Sequence, residues 1–87
     1  MPSEAELKNT IRARVVELAS RLGKKAGGIS DDAILLETGL LDSASVLELL
    51  VWLESQLDIE FDQDELSLDN FGSITKMAEF LTTRRAG

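Results

Sequence analysis

The sequence predicts an all-α fold, a small bundle of three main helices plus one short helix. Apolar residues recur at helical intervals in three separate segments, and no segment shows the alternation of polar and apolar residues that is typical of a strand. Aromatic residues are scarce, with one Trp and three Phe, so the core must consist mainly of Leu, Ile, Val and Ala. A length of 87 residues leaves room for one core, which predicts a single domain over residues 1–87.

The first helix is predicted over residues 3–22, because apolar residues repeat along one of its faces. That face consists of Leu7, Ile11, Val15, Leu18 and Leu22. Ser3 followed by Glu6 predicts a capping box at the start, and Gly23 predicts the end. The cations near that end suit the negative pole of the helix dipole: Arg21, Lys24 and Lys25.

A long connection is predicted over residues 27–42, beginning at the flexible pair Gly27-Gly28. Its apolar residues indicate that it lies on the core and is not disordered: Ile29, Leu35, Leu36, Leu40 and Leu41. We expect Ser30 to cap a short turn and Gly39 to break the chain before the next helix. Ordered connections of this length usually carry function.

The second helix is predicted over residues 43–57, with Asp42 as its N-cap. Its buried stripe consists of Val46, Leu49, Leu50, Leu53 and Leu57. Trp52 is expected to cover the edge of the core or to line the route of a cargo, and core packing is the favoured role.

An acidic, irregular segment follows over residues 58–70, with one short helix predicted over residues 64–68. A calcium-loop interpretation fails, because the sixth position counted from Asp58 is Gln63 instead of Gly, and the twelfth is Asp69 instead of Glu. We therefore expect no dedicated metal site.

The last helix is predicted over residues 73–84, capped by Ser73 after Gly72. Its inward-facing residues are Ile74, Met77, Ala78 and Leu81. Arg84 and Arg85 lie at its C-terminal end, where cations are favoured.

The composition excludes several function classes. The chain has no Cys and no His, so disulfides, thiolate chemistry and the commonest general base are absent. Ser43 and Ser45 have no His to activate them, and we predict that the protein is not an enzyme. The formal charge of −7 opposes nucleic acid and anionic membranes and favours partners with basic docking surfaces. With no long apolar run and no signal peptide, we expect a cytoplasmic monomer that does not insert into membranes.

Asp42 and Ser43 form the most informative pair of the sequence, since they place a hydroxyl at the first turn of a helix. A phosphate on Ser43 would lie where the helix dipole favours an anion. Asp42 could cap the helix and, in a complex, help to hold a metal ion in the active site of a modifying enzyme. The alternative interpretation is that Ser43 merely begins a helix.

The sequence around this pair carries a family resemblance in three stretches. They are Gly39-Leu40-Leu41-Asp42-Ser43 with Val46, Glu48, Leu49, Leu50, Leu53 and Glu54; Asp58-Ile59-Glu60-Phe61; and Asn70-Phe71-Gly72-Ser73-Ile74. These stretches resemble the acyl carrier and peptidyl carrier proteins, and the first also resembles free-standing carriers such as D-alanyl carrier proteins. One departure is Ala44, where the family usually has Leu or Met, and this difference bears on which partners recognise the protein.

The resemblance implies an acyl-carrier-protein-like fold and a 4′-phosphopantetheine arm attached covalently to Ser43 from coenzyme A. It implies two kinds of partner, a phosphopantetheinyl transferase and an acyl or aminoacyl ligase or synthase that loads the arm's thiol as a thioester. The missing Cys fits this interpretation, because the arm would supply the thiol. A fatty cargo is expected between the helices and a polar aminoacyl cargo outside them.

Ala44, Leu47 and Val51 form an apolar line on the second helix beside its buried stripe. They are expected either to widen the core face or to form a docking patch, the function that the family's matching positions have. Glu48 and Glu54 belong to an acidic surround that would steer basic partners. The alternative function is a small acidic helical interaction module, an adaptor or inhibitor without a prosthetic group, which would use the same stripe.

Overall fold

A computed structural model describes residues 3–86, except for the side chains of residues 68, 69, 85 and 86. In chain order its helices are α1 (Glu4–Arg21), α2 (Leu35–Thr38), α3 (Ser43–Leu57), α4 (Leu68–Phe71) and α5 (Ile74–Ala86), with a 3₁₀ turn (Gln63–Glu65) before α4. α1, α3 and α5 are the three main helices, and no strand occurs among the described residues. The all-α fold class predicted from the sequence is therefore confirmed.

The first helix begins and ends through local hydrogen bonds. Ser3 and Glu6 form the predicted capping box, in which the backbone N–H of each residue donates to the other's side chain. The prediction that Leu22 faces the core is wrong, because Leu22 is the C-cap and is 42% exposed. The chain turns away from the helix axis at Gly23, whose φ of 76° lies in the left-handed region.

The core lies between α1, α3 and α5, and α4 packs on α5. Its largest fully buried side chains are Leu7, Ile11, Val15, Leu18, Leu35, Leu49, Leu53, Ile74, Met77 and Leu81. All four residues that were predicted to face inward from the last helix are buried. Trp52 covers the edge of this core, and the guanidinium of Arg14 lies 5.2 Å from its ring centroid.

Three phenylalanines close one end of the bundle. The ring of Phe71 packs edge-on against Phe61 and Phe80, with centroids 4.9 and 5.1 Å apart. Arg84 braces the acidic segment against α5, since its Nε donates to a Glu65 carboxylate oxygen at 2.9 Å. Arg84 thus pairs with a side chain, whereas the side chain of Arg85 lies outside the described residues.

The short elements differ from their predictions. The structure replaces the expected helix over 64–68 by the 3₁₀ turn and α4, which leave residues 66 and 67 outside both, and the N–H of Asp62 donates to the Glu65 carboxylate at 2.8 Å. The connection contains α2, which was not predicted and which ends at Gly39 with φ 74°. Ser73 caps α5 as predicted, accepting the N–H of Lys76 at 3.1 Å. None of the described helices is long and apolar enough to cross a bilayer.

Candidate functional site

The site begins where the connection meets α3. Asp42 adopts an extended backbone, and its carboxylate accepts the N–H of Ser45 at 2.8 Å, so it is the N-cap that the sequence predicted. This bond is the main reason why the pKa of the Asp42 carboxyl lies below its usual range. The Ser45 hydroxyl and the charge of Lys24 lower that pKa further, although desolvation opposes the effect. Asp42 is therefore ionised at neutral pH.

The two serines of the first turn face opposite ways. Ser45 is 8% exposed and turns inward, whereas Ser43 is exposed to solvent. Ser43 is the first residue of a 15-residue helix, whose N-terminal N–H groups give that end a partial positive charge. An exposed hydroxyl in that field fits a covalently attached phosphate group.

An apolar cleft of about 290 Å³ opens beside Ser43, which contributes to its lining. Its apolar walls come from α2, α3, the acidic segment and α4: Leu36, Val46, Leu47, Leu50, Leu66 and Phe71. Leu36 and Leu66 are 38% and 41% exposed, so they border the mouth of the cleft and do not fill it. Sequence reasoning did not identify this cleft, and its best signal was Leu66, an isolated apolar residue in the acidic segment.

The predicted line Ala44, Leu47 and Val51 lies on the outside of α3. Leu47 is 57% exposed and Val51 is 63% exposed, so neither is part of the core. Of the two interpretations of this line, widening of the core face is therefore wrong for both side chains. Leu47 joins the line to the cleft, since it also contributes to the cleft wall.

The two glutamates predicted to meet partners lie in different environments. Glu48 is exposed, and its carboxylate is 3.4 Å from Nη1 of Arg21 at the end of α1. Glu54 is half-buried, and its carboxylate accepts the backbone N–H of Phe61 at 2.8 Å. Glu54 therefore ties the acidic segment to α3, a structural role that the sequence did not indicate.

Comparison with known proteins shows the family of this chain. Residues 13–81 match the family model for the phosphopantetheine attachment site. The chain belongs to this carrier-protein family. The D-alanyl carrier protein of Streptococcus thermophilus is 32% identical over 75 residues, which cover 86% of this chain and 95% of the relative. No solved structure gives a significant match.

Two further relatives have the same name. The D-alanyl carrier protein of Streptococcus sanguinis is 32% identical over 86% of this chain and 95% of its own length. That of Streptococcus pyogenes serotype M1 is 33% identical over 80% of this chain and 89% of its own length.

The carrier protein thus holds acyl or aminoacyl groups as thioesters on covalently attached 4′-phosphopantetheine, which supplies the thiol that the chain lacks. Family membership also confirms that the protein is not an enzyme. Its partners are, in general terms, the transferases that attach the arm and the ligases that load it. The alternative of an interaction module without a prosthetic group is not favoured by these matches.

Proposed function

We propose that Ser43 carries the 4′-phosphopantetheine arm, and that residues 1–87 act as a single carrier domain. The observation that carries this proposal is the exposed Ser43 hydroxyl at the first turn of α3, next to an apolar cleft. In this proposal Ser43 supplies the oxygen that accepts the arm from coenzyme A. Asp42 orients that turn through its cap on Ser45, and its ionised carboxylate is available to a metal ion in the transferase.

The proposed docking surface consists of Ala44, Leu47, Glu48 and Val51, all exposed on α3. Ala44 makes the surface shallow next to Ser43, while the two larger side chains supply apolar area further along the helix. Transferases and ligases with basic surfaces would approach along the field of a chain with a formal charge of −7. Glu54 adds to that field, although its carboxylate is already engaged by the acidic segment.

The negative charge opposes binding to nucleic acid and favours a monomer. We propose that this monomer acts in the cytoplasm and meets its partners in repeated weak encounters. For the cargo we propose an aminoacyl group, supported by three relatives that are named as D-alanyl carrier proteins. The apolar cleft favours a second candidate, an acyl chain that lies against Leu50 and Phe71.

The test is to incubate the purified protein with coenzyme A and a broad-range phosphopantetheinyl transferase, and then to measure its intact mass. We expect the wild type and Ser45→Ala to gain one phosphopantetheine each, and Ser43→Ala to gain none. Ser43→Ala should remain folded by circular dichroism, because an exposed first-turn Ser tolerates Ala. A modified Ser43→Ala, or an unmodified wild type beside a control carrier that is modified, would overturn the proposal.

A further inference from the structure

The end of α1 holds one lysine in a defined place. The N–H of Lys24 donates to Ala19 O at 2.9 Å, and the N–H of Gly23 donates to Ser20 O at 2.9 Å. These two bonds form a Schellman motif, which requires the left-handed φ of 76° at Gly23. The backbone of Lys24 is therefore fixed by α1, and its side chain leaves the helix end from a constant position.

The ammonium group of Lys24 reaches the segment that leads to Ser43. It donates a hydrogen bond to the carbonyl oxygen of Gly39, the C-cap of α2. Carbonyls at the C-terminal end of a helix lack partners within the helix and carry partial negative charge, so a cation stabilises them. Lys24 thus crosses from α1 to the last residue before the three-residue approach to Ser43.

The approach to Ser43, residues 40–42, is fixed both by burial and by hydrogen bonds. Leu41 is 2% exposed and anchors the approach in the core. At its start, the ammonium group of Lys24 donates to Gly39 and the hydroxyl of Thr38 accepts the N–H of Leu40 at 3.1 Å. Among the described residues, Lys24 is the one charged side chain that hydrogen-bonds to Gly39, where this approach begins. Its charge is also close enough to lower the pKa of Asp42.

We propose that Lys24 is a positioning residue for loading of the carrier. By holding the approach at Gly39 it keeps Asp42 in place as the cap of α3 and keeps the Ser43 hydroxyl in one orientation for the transferase. This inference rests on the proposed attachment of the arm at Ser43. Lys24 touches neither coenzyme A nor the reacting atoms in this account, and it acts through Gly39 and Asp42.

Lys25 provides a matched control, because it is exposed and forms no hydrogen bond or ion pair with the described residues. Lys24→Met and Lys25→Met each change the formal charge from −7 to −8, whereas Lys24→Arg keeps a donor for Gly39. We expect Lys24→Met to lower kcat of the transferase reaction about three- to tenfold with little change in KM. Lys25→Met and Lys24→Arg should remain within about twofold of the wild type in kcat.

A charge effect alone predicts a different result. Both Met variants are more acidic, so both would then bind a basic transferase more tightly and lower KM equally. Equal kinetics of the two Met variants, with the wild type modified normally, would overturn the role of Lys24. Failure of the wild type to accept the arm would instead overturn the attachment proposal.

A second measurement needs no transferase. In the unmodified protein, amide hydrogen exchange followed by NMR reports the bonds of Leu40 to Thr38 and of Ser45 to Asp42. Lys24→Met should speed exchange at these two amides by about three- to tenfold and leave the core amide of Met77 unchanged. Unchanged exchange at Leu40 and Ser45 would contradict the positioning role.

Discussion

Glu54 has two candidate roles, a structural one in the fold and a docking one toward partners, and its substitution distinguishes them. Its carboxylate, half-buried on the last turn of α3, accepts the N–H of Phe61 at 2.8 Å. The Phe61 ring packs on Phe71, whose ring lines the cleft beside Ser43. Glu54→Ala removes the acceptor and leaves the Phe61 N–H without that partner, while Ala remains a good helix former.

The expected cost follows from the type of bond. A hydrogen bond to a charged group contributes about 1.5–3 kcal/mol to stability, and the lower part of that range suits a half-buried carboxylate. We therefore expect Glu54→Ala to lower the free energy of unfolding by about 1.5–2 kcal/mol. In a domain of this size each kcal/mol lowers Tm by about 4–8 °C. Glu54→Gln keeps a carbonyl acceptor and should lose less than half as much stability.

The assay combines thermal and urea unfolding of both variants with kcat/KM of the transferase reaction. The structural role predicts a large stability difference between Glu54→Ala and Glu54→Gln, with kcat/KM of Glu54→Gln within about twofold of the wild type. If both variants are as stable as the wild type, or if Glu54→Gln loses as much stability as Glu54→Ala, the hydrogen bond does not stabilise the fold. A drop in kcat/KM for Glu54→Gln at unchanged stability would instead favour docking.

Three further predictions concern the cap, the docking surface and the cleft. Because folding lowers the pKa of Asp42, the ionised carboxylate stabilises the protein at pH values above its ordinary pKa of 3.8, and this stability is lost as pH falls through the lower pKa of the folded state. The difference in Tm between the wild type and Asp42→Asn should therefore shrink as pH falls from 3.8 through the folded pKa. Val51→Asp should lower kcat/KM of the transferase reaction about tenfold with stability unchanged, while the exposed control Leu22→Asp leaves it unaltered. When acyl arms are transferred from acyl-coenzyme A, an octanoyl group should shift the NMR signals of Leu50 and Phe71 and an acetyl group should not; equal shifts would remove the cleft as a cargo site.

The long helices could be predicted from the sequence because their signals are local. The bounds of α3 agree with the predicted range 43–57, since Asp42 caps one end and the left-handed Asp58, φ 53°, closes the other. The single-turn helix α2, by contrast, begins with a contact distant in sequence. The N–H of Leu35 at the start of α2 donates to Gly72 O at 2.9 Å, and no pattern within the connection encodes that bond.

The candidate site likewise has one part that could be predicted from adjacent residues and another part that could not. Ser43 and Asp42 could be identified from adjacent residues, because capping of a helix by its neighbour is a local event. The cleft could not, since Leu36 and Leu66 become neighbours only after the chain has packed. The structural role of Glu54 depends on the chain reversal at Asp58, which brings Phe61 back to α3. The sequence does not show this reversal, so the charge of Glu54 suggested only a contact with a partner.

The core and the border of the cleft also differ in how deeply their side chains are buried, which predicts which of them opens more easily. The core between α1 and α5 consists of fully buried side chains, whereas two border residues of the cleft, Leu36 on the single-turn α2 and Leu66 after the 3₁₀ turn, are 38% and 41% exposed. Elements with few buried contacts open at a lower free energy than the core. We therefore expect the Leu36 and Leu66 border of the cleft to yield to a cargo before the α1–α5 packing does. Ser43 belongs to the 15-residue helix α3, whose Leu49 and Leu53 are fully buried, so we expect it to keep its position when that border moves.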